Sequence, residues 1–328
     1  MRTLNLGIIG LGNQGKLLLQ HCPYIKGINV MAVADTSERS LSYAKKLGVK
    51  EVYKDYEELL KNQQIDAVII GLPNFLHYEC AIKAAEAKKD MLLEKPLARN
   101  VEEGKGIISS VEKNGRKLML GYSLRFDPLL KDLKNKISDG FFGDVQIAEG
   151  ALISNGPFTA RADKVGPTPV PNWWFDKQSV GGGALLDLGI HIIDLFTWYF
   201  GEATHVSSYL NYKLKLDIED TAICTIKFKN GPLAVVRAGW FSKTMHQSIC
   251  INGTAGNFST VLSAKSKASF IQNDFKRIMR LNRVSPPLEE LKYFVNCLLN
   301  DINPSPSGKE GLLDLEIVSK AYQNSTLT

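Results

Sequence analysis

Asp187, His191 and Asp194 interrupt an otherwise apolar run, GGGALLDLGIHIIDLF, at residues 181–196. Spacings of four and three bring them within roughly 60° of one another on a helix surface. Histidine, with an ordinary pKa near ~6.5, accepts a proton around neutral pH. A carboxylate one turn away can orient the imidazole or hold a neighbouring substrate hydroxyl. The same residues could instead be a core histidine satisfied by a carboxylate. Three features weigh for chemistry. Gly181, Gly182 and Gly183 allow a backbone to pass close to a ligand. Gly189 sits inside the helix, where it costs about 1 kcal/mol relative to Ala. Asn172, Trp173 and Trp174 just upstream are a polar and aromatic mix suited to a sugar face. Asp187 and His191 are therefore candidate catalytic and substrate residues. Asp194, deeper along the stripe, is read as a support.

A second constellation is LGIIGLGNQG, in which Gly10, Gly12 and Gly15 form G-x-G-x-x-G between a strand and a helix. Gly10 permits the tight turn, Gly12 the close approach of a pyrophosphate, and Gly15 the packing of helix on strand, while the helix N-terminus favours the anion. Asn13 and Gln14 lie inside this turn and join the candidate cofactor contacts. Asp35 ends the next strand, VMAVAD, where a carboxylate accepts hydrogen bonds from ribose hydroxyls and repels a 2′-phosphate. Arg39, one turn on, softens that repulsion. The reading is NAD, with NADP as the less favoured cofactor.

Two further loops follow strands. MLLEKPLARN places Glu94, Lys95 and Pro96 where a strand leaves the sheet, and GLPNFLHYEC does the same for Leu72, Pro73, Asn74 and His77. Ligands of open α/β sheets bind at the carboxyl ends of strands, so Leu72, Pro73, Asn74, His77, Glu94 and Lys95 are candidate cofactor contacts, although His77, one turn into the helix, could be no more than a partly exposed helix residue. Lys95 can thus stabilise an oxyanion as hydride departs, or it can be a surface lysine paired with Glu94; position alone does not separate the two. Asn74 could cap the following helix. Arg125, in GYSLRFDP, is either a substrate contact or structural. No metal site is indicated.

These residues need elements to position them. Strands are expected at Leu4–Gly10, Val30–Asp35, Asp66–Gly71, Met91–Glu94 and Lys117–Gly121, with helices at Gln14–Cys22, Glu38–Leu47, Phe75–Ala87 and Val101–Asn114. Such alternation implies parallel strands with helical crossovers, a doubly wound sheet ending near Tyr122. Beyond it come a helix (Pro128–Ser138), a long strand (Asp144–Ser154), and a Gly-, Pro- and Asn-rich loop (Asn155–Val180) with Arg161, Lys164 and Asn172 as candidate substrate contacts. TAICTIKF and PLAVVRAGW form a hairpin, ICING and GNFSTVL add strands, and helices near 288–300 and 308–322 follow. The expected architecture is α/β: a dinucleotide-binding domain over 1–122, and an α+β domain over 123–328 with a mostly antiparallel sheet.

The bulk numbers suit a soluble, cytoplasmic protein. The 328 residues allow two domains, and a net charge of +6 spread along the chain argues against nucleic acid as the main partner. Lys265, Lys267, Lys276, Arg277, Arg280 and Arg283 concentrate charge, either as a solvated surface or as a phosphate site. Five scattered cysteines form no C-x-x-C pair and suit a reducing compartment. The greasiest run, Ala184–Phe200, holds two Asp and a His, which speaks against a membrane span. No secretory signal is expected.

The glycine turn, the LPN..LH loop, EKPLA and GGGALLDLGIHIIDLF, in this order along the whole chain, resemble the Gfo/Idh/MocA oxidoreductases. The resemblance implies a Rossmann domain followed by an α/β domain whose open sheet mediates contacts in a homodimer or homotetramer. It implies NAD(P)-dependent hydride transfer at a secondary hydroxyl of a sugar, nucleotide sugar or cyclitol. Lys95 then matches the catalytic lysine, often followed by a cis Lys–Pro bond, and Asp187 and His191 match the substrate-site pair. Leu72 departs from the Thr or Ser usual before Pro-Asn, which puts one cofactor hydrogen bond in doubt. The competing readings are a reductase of C=N or C=C bonds in a non-sugar molecule and a non-catalytic dinucleotide sensor; the presence of Lys95, Asp187 and His191 together counts against both.

Overall fold

The computed structural model describes residues 3–158, 161–163, 166–168, 170–229, 231–261, 267–272, 275–280 and 285–327, with backbone course alone at 161–163, 166–168, 267–269, 271–272, 275–280 and 327. The chain divides into two compact units, one of residues 1–123 with 286–312, the other of residues 124–285 with 313–328.

In the first unit a six-stranded sheet is built from β1 (Leu4–Ile9), β2 (Ile28–Ala34), β3 (Glu51–Tyr53), β4 (Ala67–Ile70), β5 (Asp90–Glu94) and β6 (Leu118–Gly121). Their order is β3-β2-β1-β4-β5-β6 and every pairing is parallel. Between strands run α1 (Asn13–His21), α2 (Glu38–Lys46), α3 (Tyr56–Lys61), α4 (Asn74–Glu86) and α5 (Val101–Lys113). A central parallel strand is covered on both faces, so β4 reads AVII and is buried at every position. Helix starts are set locally. Ser37 accepts from the Ser40 amide, Asp55 from Glu57 and Asn100 from Glu103, each tying down an otherwise unpaired N–H. The short β3 and α3, absent from the expected elements, hold too few residues for a periodic signal. Residues 286–312 return to this unit: the Leu120 amide donates to the Pro306 carbonyl, and Lys117 pairs with Asp301.

The second unit is organised on a nine-stranded sheet. Its strands are β7 (Val145–Ile153), β10 (Ala203–Asn211), β11 (Thr221–Phe228), β12 (Leu233–Gly239), β13 (His246–Gly253), β14 (Gly256–Val261), β15 (Lys267–Gln272), β16 (Phe275–Arg280) and β17 (Ser325–Leu327). The order is β16-β15-β14-β13-β7-β12-β11-β10-β17, and β8 (Arg161–Asp163) and β9 (Gly166–Thr168) form a separate ribbon inside the expected loop. Only β7–β12 and β10–β17 pair in parallel among the described ladders. Burial alternates along β10, β11 and β12, so one face is covered by helices and the other is open. The helices are α6 (Pro128–Ser138), α7 (Lys177–Val180), α8 (Ile190–Phe200), α9 (Pro286–Leu299, in the first unit) and α10 (Gly308–Gln323). α8 lies so close to β7 that a Cβ on Gly150 would stand 2.2 Å from Ile192. By length and composition Lys177–Phe200 could cross a membrane, but most of it is buried by the protein itself. Lys265 and Arg283, and the side chains of Lys267, Lys276, Arg277 and Arg280, lie outside the described residues.

Candidate active site

The β1–α1 turn is shaped by steric exclusion. Gly10 has φ +85°, and a Cβ there would lie 2.6 Å from the Gly71 carbonyl oxygen, on the neighbouring strand end. A Cβ on Gly15 would stand 1.9 Å from the Gly10 carbonyl oxygen. Gly12 differs, because a Cβ there would meet nothing nearer than 4.0 Å. What Gly12 keeps clear is the space in front of α1, whose first turn has no side-chain cap and no acidic residue. Open amides at a helix N-terminus beside clear space fit a pyrophosphate. Asn13 and Gln14 are exposed at this rim.

Asp35 is fixed by two backbone amides, Leu11 N–H to Oδ2 at 2.6 Å and Ser37 N–H to Oδ1 at 2.7 Å. The carboxylate therefore joins the end of β2 to the glycine turn, and each oxygen keeps a lone pair for a ribose hydroxyl. Arg39 is exposed on the first turn of α2.

The loops after β4 and β5 are held together. Leu72, Pro73 and Asn74 are half-buried. Pro73 takes the N-cap position of α4, so Asn74 is its first residue and not its cap. His77 is completely buried, with Nδ1 2.8 Å from the Pro96 carbonyl and Nε2 2.9 Å from the Leu72 carbonyl. Expected as a cofactor contact, the ring is instead turned inward onto the two loops. Lys95 is half-buried and its peptide bond to Pro96 is cis.

Glu94 is buried against Gly121, and burial pushes its carboxyl up to about 7 in spite of the opposing charge of Lys95. The folded protein therefore binds this proton more tightly than the unfolded chain. The stabilisation is complete below the ordinary value of 4.5 and is lost as pH rises through about 7. Glu94→Gln, which cannot ionise, is expected to gain up to about 3 kcal/mol on the wild type between pH 5 and pH 8. Urea unfolding of both proteins across that range checks it; parallel curves would contradict it.

In the second unit, residues 181–196 start with a widened turn, Leu185–Gly189, which runs into α8. Such turns occur often at functional sites. Its start is gripped by Glu219, which accepts from the Gly183 amide (3.0 Å), the Leu185 amide (2.8 Å) and the Tyr322 hydroxyl (3.0 Å). The glycines are explained by this packing and not by ligand approach. A Cβ on Gly183 would lie 1.9 Å from the Glu219 carbonyl oxygen, and one on Gly182 2.1 Å from the Tyr322 hydroxyl. Gly181 ends α7 at φ +87°. Gly189 likewise lets the helix settle on β12, with a Cβ there 3.3 Å from Ala238 and 2.7 Å from Leu185.

The ionisable stripe divides. Asp194 is fully buried and takes Arg125 in a two-pronged ion pair, Nε to both oxygens at 3.0 Å and Nη2 to Oδ1 at 2.7 Å. Arg125 is itself buried, with its guanidinium 5.4 Å from the centre of the Trp198 ring. Of its two expected roles, substrate contact or structural, the pair fits the structural one, because a buried guanidinium needs a carboxylate at hand. Asp187 and His191 remain half-buried. Trp240 donates its indole N–H to Asp187 Oδ2 at 3.2 Å. Nδ1 of His191 is buried, which disfavours it as the ring nitrogen that meets a ligand.

Trp240 anchors an apolar cluster with Val180, Ala184, Ile218 and Ala238, on which Trp173 and Trp174 pack, stacked on each other at 5.1 Å. Asn172 is exposed beside them. The side chain of Arg161 and all of Lys164 lie outside the described residues. Trp240, Glu219 and Tyr322 were not among the expected site residues. All three reach the 181–196 segment from distant parts of the chain, and no local spacing announces them.

The parallel order of the first sheet, its glycine cradle and the Asp–His helix of the second unit define an NAD-binding oxidoreductase. Residues 4–122 match the model of the oxidoreductase family with an NAD-binding Rossmann fold, and residues 130–259 match the GFO/IDH/MocA C-terminal domain. The chain belongs to the Gfo/Idh/MocA oxidoreductases. It is 30% identical to scyllo-inositol 2-dehydrogenase (NAD(+)) of Bacillus subtilis, over 94% of this chain and 90% of the relative. It is 28% identical to myo-inositol 2-dehydrogenase of Thermotoga maritima, over 95% and 93%. The fold is shared with a levoglucosan dehydrogenase solved with NADH and L-sorbose, at TM-score 0.86 and 24% identity over 99% of this chain and 98% of that one.

Proposed function

We propose that the protein is an NAD-dependent dehydrogenase of a secondary hydroxyl in a sugar, nucleotide sugar or cyclitol. The observation that carries this reading is the division of the ionisable stripe. Arg125 neutralises Asp194 in the core, while Asp187 and His191, four residues apart on the same stripe, stay half-buried. The relatives named as inositol and levoglucosan dehydrogenases support the substrate class.

Bound nicotinamide supplies the hydride acceptor. The residues of the chain do the rest. Gly10, Gly12 and Gly15, with the amides of α1, would hold the pyrophosphate, and Asp35 would take the ribose hydroxyls. The Leu72–Asn74 turn would add backbone contacts. His191 Nε2 accepts the hydroxyl proton as the C–H bond breaks. Asp187, held by Trp240, orients His191 or a neighbouring hydroxyl. Lys95 donates a hydrogen bond to the oxygen on which negative charge gathers. Trp173 and Asn172 offer an aromatic face and an amide to the substrate ring.

A panel of inositols, aldoses and nucleotide sugars, assayed for NADH and NADPH formation, tests the reading. NADH formation with at least one polyol is expected, at higher efficiency than NADPH because of Asp35; silence across the panel would count against it.

The open face of the second sheet supports a homodimer or homotetramer. Tyr209 pairs across strands with Ile223 and Leu233 with Ile147, and all four side chains are exposed on that face, with Val261 further along it. Exposed apolar patches of this kind mark interaction surfaces. Sedimentation is expected to show a multiple of the chain mass that Leu233→Glu with Tyr209→Glu reduces to one; a wild-type monomer would contradict this. The free cysteines, four of them buried, suit a cytoplasmic setting.

A further inference from the structure

His77 has an unusual environment for a buried imidazole. Both ring nitrogens face backbone carbonyl oxygens, Pro96 at Nδ1 and Leu72 at Nε2, on two different loops. A neutral imidazole carries one N–H, so it donates to one of these acceptors at a time. Burial and the nearby Lys95 charge hold the ring toward its neutral form, while the two carbonyls and Glu103 act the other way. The far end of the same loop is also pinned. Glu103 accepts from the Arg99 amide at 3.2 Å and pairs with its guanidinium, and Asn100 caps α5 through the Glu103 amide.

We propose that His77 is a positioning residue: its imidazole, donating to the Pro96 or the Leu72 carbonyl in alternate tautomers and packed against both, holds the Lys95–Pro96 loop beside the Leu72–Asn74 turn and so fixes Lys95 relative to the cofactor turn. The clamp rests on the catalytic reading of Lys95. Pro96 directly follows Lys95, so a carbonyl held at Pro96 limits how far the lysine stem can swing. Leu72 has no side-chain hydroxyl to offer, so its turn depends on backbone contacts, and His77 supplies one of them.

Two near-isosteres separate the two halves of the clamp. An asparagine amide nitrogen stands about where Nδ1 stands, and a glutamine amide nitrogen about where Nε2 stands. His77→Asn is expected to keep the Pro96 link, with kcat within about threefold of wild type and weaker NAD binding. His77→Gln is expected to keep the Leu72 link, with NAD affinity within about threefold and kcat lower by about 10- to 100-fold. Equal losses in both variants, or none in either, would overturn the clamp. Lys95→Ala serves as the control. Normal turnover there removes the catalytic reading itself, whereas a dead Lys95→Ala beside two indifferent His77 variants removes the clamp alone. Should a variant fail to fold, hydrogen exchange in the wild type decides: a His77 ring N–H exchanging slowly with water supports the clamp, and a freely exchanging one overturns it.

Discussion

Lys95→Ala and His191→Ala are each expected to lower kcat by about 10²- to 10⁴-fold while NAD binds within about threefold of wild type. The separation follows from where the residues sit. The glycine cradle and Asp35 are assembled from β1, α1 and β2, and their hydrogen bonds run through Leu11 and Ser37 without using Lys95. His191 lies in the other compact unit, on α8. Removing either side chain therefore leaves the cradle whole and takes away the hydrogen-bond donor or the proton acceptor that the proposed mechanism assigns to it. Stopped-flow quenching of protein fluorescence by NADH gives the binding constants, and steady-state turnover of a polyol gives kcat. Near-normal kcat in both variants would eliminate the proposed chemistry.

Arg125→Ala should destabilise the protein by about 3–5 kcal/mol, the largest stability effect expected in the chain. The substitution leaves the Asp194 carboxylate fully buried without the guanidinium that meets both its oxygens. It also removes the cation above Trp198. Replacing the pair together, as Arg125→Met with Asp194→Leu, takes both charges out of the core and is expected to recover most of the loss. Chemical denaturation of the three proteins checks the pattern. A double variant no better than the single would show that Arg125 stabilises through packing and not through charge. Turnover in the double variant is expected to stay close to wild type, since Arg125 is not assigned to substrate.

The first unit was largely legible because its signals are local. G-x-G-x-x-G works through contacts a few residues apart, as between Gly10 and Gly15, and the buried parallel strands read as unbroken apolar runs. In the second unit the hairpin of β11 and β12 showed itself by alternation. By contrast, β10, β15, β16 and β17 were missed; the last has three residues and pairs in parallel with a strand more than a hundred positions away. The candidate site was read in part. Asp187 and His191 stood out as polar breaks in a greasy helix, and the structure leaves them half-buried. The glycines beside them pointed the right way for a different reason, since Gly182 and Gly183 make room for Tyr322 and Glu219. The bond from Trp240 to Asp187 joins positions 53 apart, and such a contact exists only once the sheet has formed. Arg125 stayed open between two roles for the same cause: its partner is 69 residues further on.

The central claim is that Lys95 and His191 serve one reacting hydroxyl, and a double-mutant cycle on kcat tests it most directly. If the two act as one unit, the double alanine variant should be about as slow as the slower single variant, the strong non-additivity that cooperating catalytic groups show. Losses that multiply in full, as for groups working at unrelated places, would contradict it.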